Sequence, residues 1–285
     1  MHRFYDPALD IELIGSGRAF EETLFALPRQ RLALDGGWGN TDIFAQPNLF
    51  LSHLHMDHAL GLPRFVVNRQ KMGDGSCRIF VPAAALDDAR GIVAAWQRAE
   101  RRRDPVEWVG VEDGLEVEYE GPWRLRFFST DHNVPSAGVC LLRKQSRVRP
   151  EYADLSPKEI GRLVRDGAEP VETTWLPAFA WCGDTSASVF ERHPWLYDVR
   201  ILVTECTFIQ AFHDEPGVTR GHTSWEDLCE RAERFSNTAL ILSHFSRRYS
   251  AERIWEHLNQ TSPDTLRQRL RPLISVPGSE DRGLG

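Results

Sequence analysis

The chain has 285 residues, 41% of them hydrophobic and 26% charged, with a formal net charge of -7; this is the composition of an ordinary globular protein, long enough for one large α/β core and without general affinity for polyanions. No apolar run approaches the roughly 20 residues of a membrane span, and Met1-His2-Arg3-Phe4-Tyr5-Asp6 lacks the apolar core of a signal peptide, so residence in the cytoplasm is expected. The five cysteines, at 77, 140, 182, 206 and 229, are scattered with no Cys-x-x-Cys pair, which argues against a disulfide framework and against a cysteine-based zinc site.

In chain order, residues 11–16 and 31–34 read as two strands, the first followed by a Gly15-Ser16-Gly17 turn and the second ended by Asp35-Gly36-Gly37. Asn48-Leu49-Phe50-Leu51 is a short buried strand. It leads into Ser52-His53-Leu54-His55-Met56-Asp57-His58, and Gly61 and Pro63 close the far side. Residues 78–81 form another strand, closed by Pro82. A helix over about 83–102 carries Leu86, Ala89, Val93 and Trp96 on one face, and the charge run at 98–103 reads as its solvated end. Strands resume at 115–119, 123–129 and 137–142, followed by the basic stretch 143–149. Ser156-Pro157-Lys158-Glu159 is a capping box with proline at the first helical position, opening a short helix that stops at Gly167. Residues 178–182 and 201–205 read as buried strands, 224–235 as a helix, 239–242 as a strand and 250–258 as a last helix. The tail from Pro277 has the composition of disorder. A strand-rich first half followed by strand–helix units suggests two sheets covered by helices.

Three His and one Asp fall within six positions at 53–58. Imidazole and carboxylate are the ligands divalent transition metals prefer, zinc above all. On a loop after a strand they point into a cleft. Four more candidates stand just beyond apolar strands or at a helix start: His132, Asp184, His222 and His244. One such His alone is more often a hydrogen-bonded structural residue; as a set beside the 53–58 cluster they point to metal. The set fits two ions. His53, His55 and His132 supply three nitrogens to one, Asp57, His58 and His244 complete the other, and Asp184 bridges. Two such metals can hold a hydroxide and clamp the attacking and leaving oxygens of a phosphoryl transfer, with Asp57 orienting the hydroxide. His222 is then left over as a general acid facing the leaving group. Glu205, ending Leu202-Val203-Thr204, is the carboxylate to hold that ring and raise its pKa. The competing reading is that Glu205 caps a strand and His222 caps the helix after it.

Ser-His-Leu-His-Met-Asp-His, Asp-His-Asn-Val-Pro-Ser-Ala-Gly, Gly-Asp-Thr, Thr-Glu-Cys-Thr-Phe, Gly-His-Thr-Ser and Ser-His-Phe-Ser-Arg-Arg-Tyr, in this order, resemble ribonuclease Z, the tRNA 3′-processing endonuclease family of the metallo-β-lactamase superfamily. The resemblance runs from Glu12 to about Tyr249. It implies an α/β fold, the metallo-β-lactamase αββα four-layer sandwich, as one domain over 1–270. A shortened arm-like insertion at about 143–176 and a flexible tail at 271–285 complete the expected organisation. It implies a dinuclear zinc site, whose ligands also suit manganese or iron, and a homodimer. It further implies a phosphodiesterase that cuts after the discriminator base of pre-tRNA and leaves a 3′-hydroxyl. By the same matching His222 and Glu205 are the proton-donating pair, and Asp57 orients the nucleophilic water. Arg247 and Tyr249 match the end motif, whose basic and aromatic groups sit near the substrate phosphate. Members usually carry a long arm with a Gly- and Pro-rich tip that grips the tRNA. Here the interval from His132 to Asp184 holds a basic strand and one capped helix without such a tip, and Arg143, Lys144, Arg147 and Arg149 supply candidate phosphate contacts.

The expected activity is therefore removal of 3′ trailers from pre-tRNA. The alternative is a phosphodiesterase of the same fold acting on small phosphodiesters such as cyclic nucleotides. A non-catalytic scaffold is disfavoured by the complete ligand set, and a lactone or thioester hydrolase by the His222–Glu205 pair.

Overall fold

The computed structural model describes residues 1–72, 75, 77–210 and 221–274. Among these, fourteen strands build two seven-stranded sheets. The first sheet sets β1 (His2–Asp6), β2 (Ile11–Arg18), β3 (Glu22–Leu27), β4 (Leu32–Gly36), β5 (Asn48–Phe50), β6 (Arg78–Pro82) and β7 (Glu107–Val111) side by side in chain order. The second does the same with β8 (Glu116–Glu118), β9 (Trp123–Ser129), β10 (Ala137–Val148), β11 (Val171–Trp181), β12 (Ile201–Glu205), β13 (Ala239–Ser243) and β14 (Leu270–Pro272). In both sheets the first four strands pair antiparallel and the last four parallel.

Side-chain alternation along the strands sets the layering. Phe25, Phe50, Phe80, Phe127, Phe179 and Val203 pack between the sheets. Their chain neighbours Leu24, Leu49 and Ile79 face outward on the first sheet, and Phe128, Ala180 and Leu202 on the second. Strands buried on both faces read as continuous apolar runs, which is why periodicity alone finds them. The outer face of the first sheet is covered by α1 (Thr41–Phe44), α2 (Met56–Ala59), α3 (Leu62–Lys71) and α4 (Leu86–Ala99), through Phe44, Phe65, Val66, Ala89 and Val93. After α5 (Pro157–Arg165), the helices α6 (Val189–Arg192), α7 (Trp225–Glu230), α8 (Ala251–Thr261) and α9 (Asp264–Arg267) cover the second sheet, through Phe190, Trp225, Leu228, Ile254 and Leu266. The result is the expected four-layer αββα sandwich.

Several elements differ from the sequence reading. Gly15-Ser16-Gly17 is not a turn; β2 continues through Arg18. Glycine inside a strand marks a close approach. A Cβ on Gly15 would fall 2.1 Å from the Phe25 ring, and one on Gly17 would lie 3.2 Å from Ser243 Cβ and 3.3 Å from His244 N. Edge strands β1 and β7, and β3, go beyond the reading. The helix at 83–102 ends at Ala99 and opens with a separate 3-10 turn at Ala83–Ala85. The strand at 137–142 extends to Val148, because 143–148 pairs with 171–176 in a two-stranded ribbon. That ribbon carries α5, whose Ser156–Glu159 capping box is formed and none of whose residues is buried. Leu270–Pro272 pairs with β13, so the sheet runs two residues past the expected domain end at 270; of the expected flexible tail, 275–285 lies outside the described residues.

The arrangement brings functional segments to one end of the sandwich. Ser129 at the end of β9 pairs with Ala137, Trp181 at the end of β11 pairs with Val139, and β11, β12 and β13 run parallel. Ala137 N–H donates to Ser52 O just beyond β5 at 3.0 Å, joining the two sheets there. The carboxyl ends of β5, β9, β11, β12 and β13 thus converge, the position at which α/β folds place their chemistry. Between the sheets, Phe127 lies 5.6 Å from Phe50 and 5.3 Å from Phe80, centroid to centroid. Phe127→Ala is expected to cost about 3–5 kcal/mol of unfolding free energy, read by chemical denaturation; a loss under 1 kcal/mol would mean the two sheets do not depend on this contact.

Candidate metal centre

The chain leaves β5 extended and turns into α2 with His55 as the N-cap and Asp57 and His58 inside the short helix. Four of the five imidazoles then have a partner behind them that decides where the other ring nitrogen points. Ser52 Oγ donates to Asp35 Oδ2 at 2.8 Å and lies 3.0 Å from His53 Nδ1, so the ring donates there and turns a bare Nε2 inward. That Nε2 is buried without a hydrogen-bond partner. His58 donates from Nδ1 to Asp35 Oδ2 at 2.9 Å, His132 from Nδ1 to Gly221 O at 2.7 Å, and His244 from Nδ1 to Thr207 Oγ1 at 3.0 Å. Four Nε2 atoms are thereby turned to one space, with His55 Nδ1 3.2 Å from His132 Nε2 and His58 Nε2 3.3 Å from His244 Nε2.

Asp184 stands between the two halves. Its carboxylate lies 3.4 Å from His58 Nε2 and from His244 Nε2, 3.9 Å from His53 Nε2 and 4.0 Å from His132 Nε2. Gly183 places it: φ is +62°, and a Cβ there would come within 2.5 Å of Ser52 Cβ. Asp57 Oδ2 lies 3.5 Å from His244 Nε2 and 3.8 Å from His58 Nε2, and accepts Phe20 N–H at 2.9 Å. The structure thus gathers His53, His55, His132 and Asp184 into one group and Asp57, His58 and His244 into another, with Asp184, His222 and His244 as a third that overlaps both; the first two match the division read from the sequence. Burial holds the His53 ring well below its ordinary pKa, in its neutral form. For Asp57, burial favours the neutral acid, but the His244 and His58 rings outweigh it and hold the carboxyl down at about 2.

His222 and Glu205 sit against this cluster. Glu205 Oε1 accepts from Thr185 N–H at 2.7 Å and from His222 Nδ1 at 2.9 Å, and Oε2 accepts from Thr207 Oγ1 at 2.5 Å. The His222 ring stacks on His244 at 5.7 Å and keeps Nδ1 3.9 Å from Asp184 Oδ2. Burial disfavours its charged form, but the Glu205 carboxylate more than reverses this and holds His222 up at about 9. Glu205 is therefore more than a strand cap.

Sequence reasoning missed the supporting residues Asp35, Ser52 and Thr207. Asp35 and Thr207 lie inside stretches that the spacing had singled out, but spacing does not say which way a side chain turns. Asp35 and His244 both hold left-handed φ angles, +55° and +60°, a strain that functional sites commonly carry. Tyr249 is a correction: its ring is buried in the apolar cluster outside the second sheet, so it packs instead of facing a phosphate. Arg247 is exposed at the site end and pairs with Glu21 at 3.2 Å. Arg143 and the other basic residues of the ribbon do not continue from it to the cleft. Six or more positions along β10 separate them from Ala137, roughly 20 to 35 Å at the usual rise of a strand.

Asp35 alone supports Ser52 and His58 at once, so Asp35→Ala is expected to weaken divalent-metal affinity about 10- to 100-fold. Competition against a chromophoric chelator measures this. Unchanged affinity in a folded variant would show that the rings hold their orientation without it.

The sequence model of the beta-lactamase superfamily domain matches residues 47–245. Two relatives from Arabidopsis thaliana, the chloroplastic tRNase Z TRZ2 and tRNase Z TRZ1, are each 29% identical to the chain. The first alignment covers 82% of this chain and 67% of the relative, the second 85% and 88%. Among solved structures, the short form of human tRNase Z superposes with a TM-score of 0.59 at 14% identity, over 92% of this chain and 95% of that one. The metallo-beta-lactamase fold protein YhfI from Bacillus subtilis superposes with a TM-score of 0.60 at 15% identity, over 95% and 98%. These two establish the likeness of fold, and with the superfamily match spanning more than half of its length the chain belongs to the beta-lactamase superfamily.

Proposed function

We propose that the protein is a divalent-metal-dependent endoribonuclease that removes 3′ trailers from pre-tRNA. The observation that carries the reading is the His222–Glu205 pair set against a double His/Asp cluster. A protonated imidazole beside such a centre suits departure of an alkoxide, which is what a phosphodiester releases. The two relatives named tRNase Z align along most of the chain and support RNA over a small diester. So does the basic ribbon, whose distance from the centre only a long polyanion can span.

The donor set fits a divalent cation. Imidazole nitrogens crowd together at 3.2 and 3.3 Å beside the Asp184 and Asp57 carboxylates, and His53 is held neutral by burial with its Nε2 unpartnered, a donor set that a divalent cation completes. We assign His53, His55, His132 and Asp184 to one ion and Asp57, His58, His244 and Asp184 to a second, with zinc in both places. Bound there, the ions supply Lewis acidity toward the phosphate and a hydroxide at neutral pH. Asp57 orients that nucleophile from the Phe20 side of the site. Asp184 holds the two halves in register. His222 gives its proton to the departing oxygen, and Glu205 keeps the ring charged and aimed. No helix of the described residues is long and apolar enough to cross a membrane; the expectation of a cytoplasmic homodimer accompanies the proposal, and light scattering on the purified chain reads the dimer.

Three outcomes test it. Purified protein is expected to release the trailer from a 3′-extended pre-tRNA; cleavage of a small chromogenic diester alone would overturn the tRNA reading. Asp184→Ala is expected to lose both ions by elemental analysis, and two full equivalents in that variant would remove the bridge. The acid is active when protonated, so its contribution is present below about 9 and lost as pH rises through that value. In Glu205→Gln the alkaline limb of the rate profile is expected to move down toward the ordinary histidine range near 6.5. An unmoved limb would separate His222 from the pH dependence.

A further inference from the structure

Three large apolar side chains stand in solvent at one edge of the metal centre. Phe20 is 80% exposed, Met56 71% and Trp38 56%. Isolated exposed apolar residues are ordinary; these three are tied to the same few atoms. Phe20 N–H donates to Asp57 Oδ2 at 2.9 Å, Met56 precedes Asp57 in the chain, and Trp38 Nε1 donates to the carbonyl of Glu21, the residue after Phe20, at 2.6 Å. Phe20 sits at the tip of the β2–β3 turn with φ +63°, a conformation that a bulky residue rarely bears. Glycine would hold the same N–H on Asp57 without that strain. The ring packs little protein surface, so it adds little to the core. What calls for explanation is an aromatic face kept in water beside the nucleophile-orienting carboxylate.

The surroundings indicate what covers it. Arg247 pairs with Glu21 at 3.2 Å on the same turn, and Arg18 at the end of β2 donates to the carbonyl of Tyr249. Cations flanking an exposed aromatic ring are the usual equipment for unpaired nucleotides: the charges follow the backbone and the ring takes a base. Resting on the RNA reading above, we propose that Phe20 is the platform on which the unpaired nucleobase flanking the scissile phosphate stacks. The backbone of Phe20 thus steadies Asp57 while its ring sets the position of the adjoining nucleotide.

The test is a cycle between side chain and base. Wild type, Phe20→Ala, Phe20→Gly and Phe20→Trp are compared on an acceptor minihelix with a 3′ trailer, carrying either ordinary nucleotides or an abasic nucleotide placed in turn on each side of the cut. Phe20→Ala and Phe20→Gly are expected to lower kcat/KM about tenfold on the ordinary substrate, mainly through KM, and Phe20→Trp to restore it. On one of the two abasic substrates the penalty should vanish, because the base is already gone. Equal penalties on ordinary and both abasic substrates would show that Phe20 acts only through Asp57 and would overturn the proposal, as would no penalty at all. A second measurement is independent of cleavage. Quenching of a 2-aminopurine base in a short single-stranded RNA is expected with wild type and lost in Phe20→Ala. If wild type cuts no minihelix, the trailer-removal reading falls, and this fluorescence alone decides the platform: quenching that depends on Phe20 upholds it, and its absence overturns it.

Discussion

The arrangement on which the rest of the molecule depends is a set of imidazole rings and carboxylates gathered into one largely buried cluster. His58 Nε2 and His244 Nε2 stand 3.3 Å apart, and both face the Asp184 carboxylate at 3.4 Å. Four of the rings, His53, His58, His132 and His244, are fixed from behind by an acceptor: Ser52, Asp35, Gly221 O and Thr207. Removing an acceptor frees a ring to turn its nitrogen away; removing Asp184 leaves Asp57, among the described residues, as the one carboxylate against Nε2 of His58 and of His244. The energy that keeps such a cluster together comes from the fold, not from the cluster, since burying ionisable groups is costly until charge is paired.

That energy is available because the groups sit where two sheets end together. The clustered His and Asp residues that follow β5 and those that follow β9, β11 and β13 belong to different sheets, so the sandwich core of Phe25, Phe50, Phe80, Phe127 and Trp181 sets their separation. A second tie crosses the open end. The β2–β3 turn takes His244 N–H on Gly17 O, gives Ala19 N–H to Phe245 O, and gives Phe20 N–H to Asp57. One hairpin therefore holds two members of the same group, Asp57 and His244, from opposite sheets. Its cost is visible in the left-handed angles at Phe20 and His244, and strain of this kind persists only where neighbouring contacts over-determine it.

How much of this is legible in the sequence follows from what each signal encodes. The clustered residues His53, His55, Asp57, His58, His132, Asp184 and His244 can be picked out because metal chemistry restricts residue type, and because each follows an apolar run that ends at the same place. Strands buried on both faces announce themselves as unbroken apolar stretches. The edge strands β1 and β7 do not, since half their side chains meet water and short edges carry weak patterns. Gly15-Ser16-Gly17 misleads for a definite reason: glycine marks a turn or a close approach with equal frequency to the eye, and only the tertiary neighbours Phe25 and His244 decide which. Asp35 and Thr207 are ordinary residues whose importance lies in the direction they face. Tyr249 errs the other way, sharing a motif with Arg247 while turning into the core.

The distribution of charge carries the argument from chemistry to substrate. Around the centre the cationic groups are few, and the chain as a whole is acidic at -7. Net repulsion at long range disfavours any polyanion that meets the surface at random. On β9, Arg124 and Arg126 are already paired with Glu116 and Glu118. In the β10–β11 ribbon Arg143 stands at the root, opposite Trp123 of β9 and donating to Ala8 O, while Lys144 and Arg147 lie farther out, where Ser146 and Thr173 face each other. A small diester would gain nothing from charges so far from the centre, since at physiological salt their field fades within about 8 Å. A ligand that touches both places gains from each, and the second contact is made at high effective concentration once the first is in place. The acidic body and the remote basic ribbon therefore act together as a filter: they favour a ligand long and rigid enough to bridge the two, which a folded RNA is and a nucleotide is not.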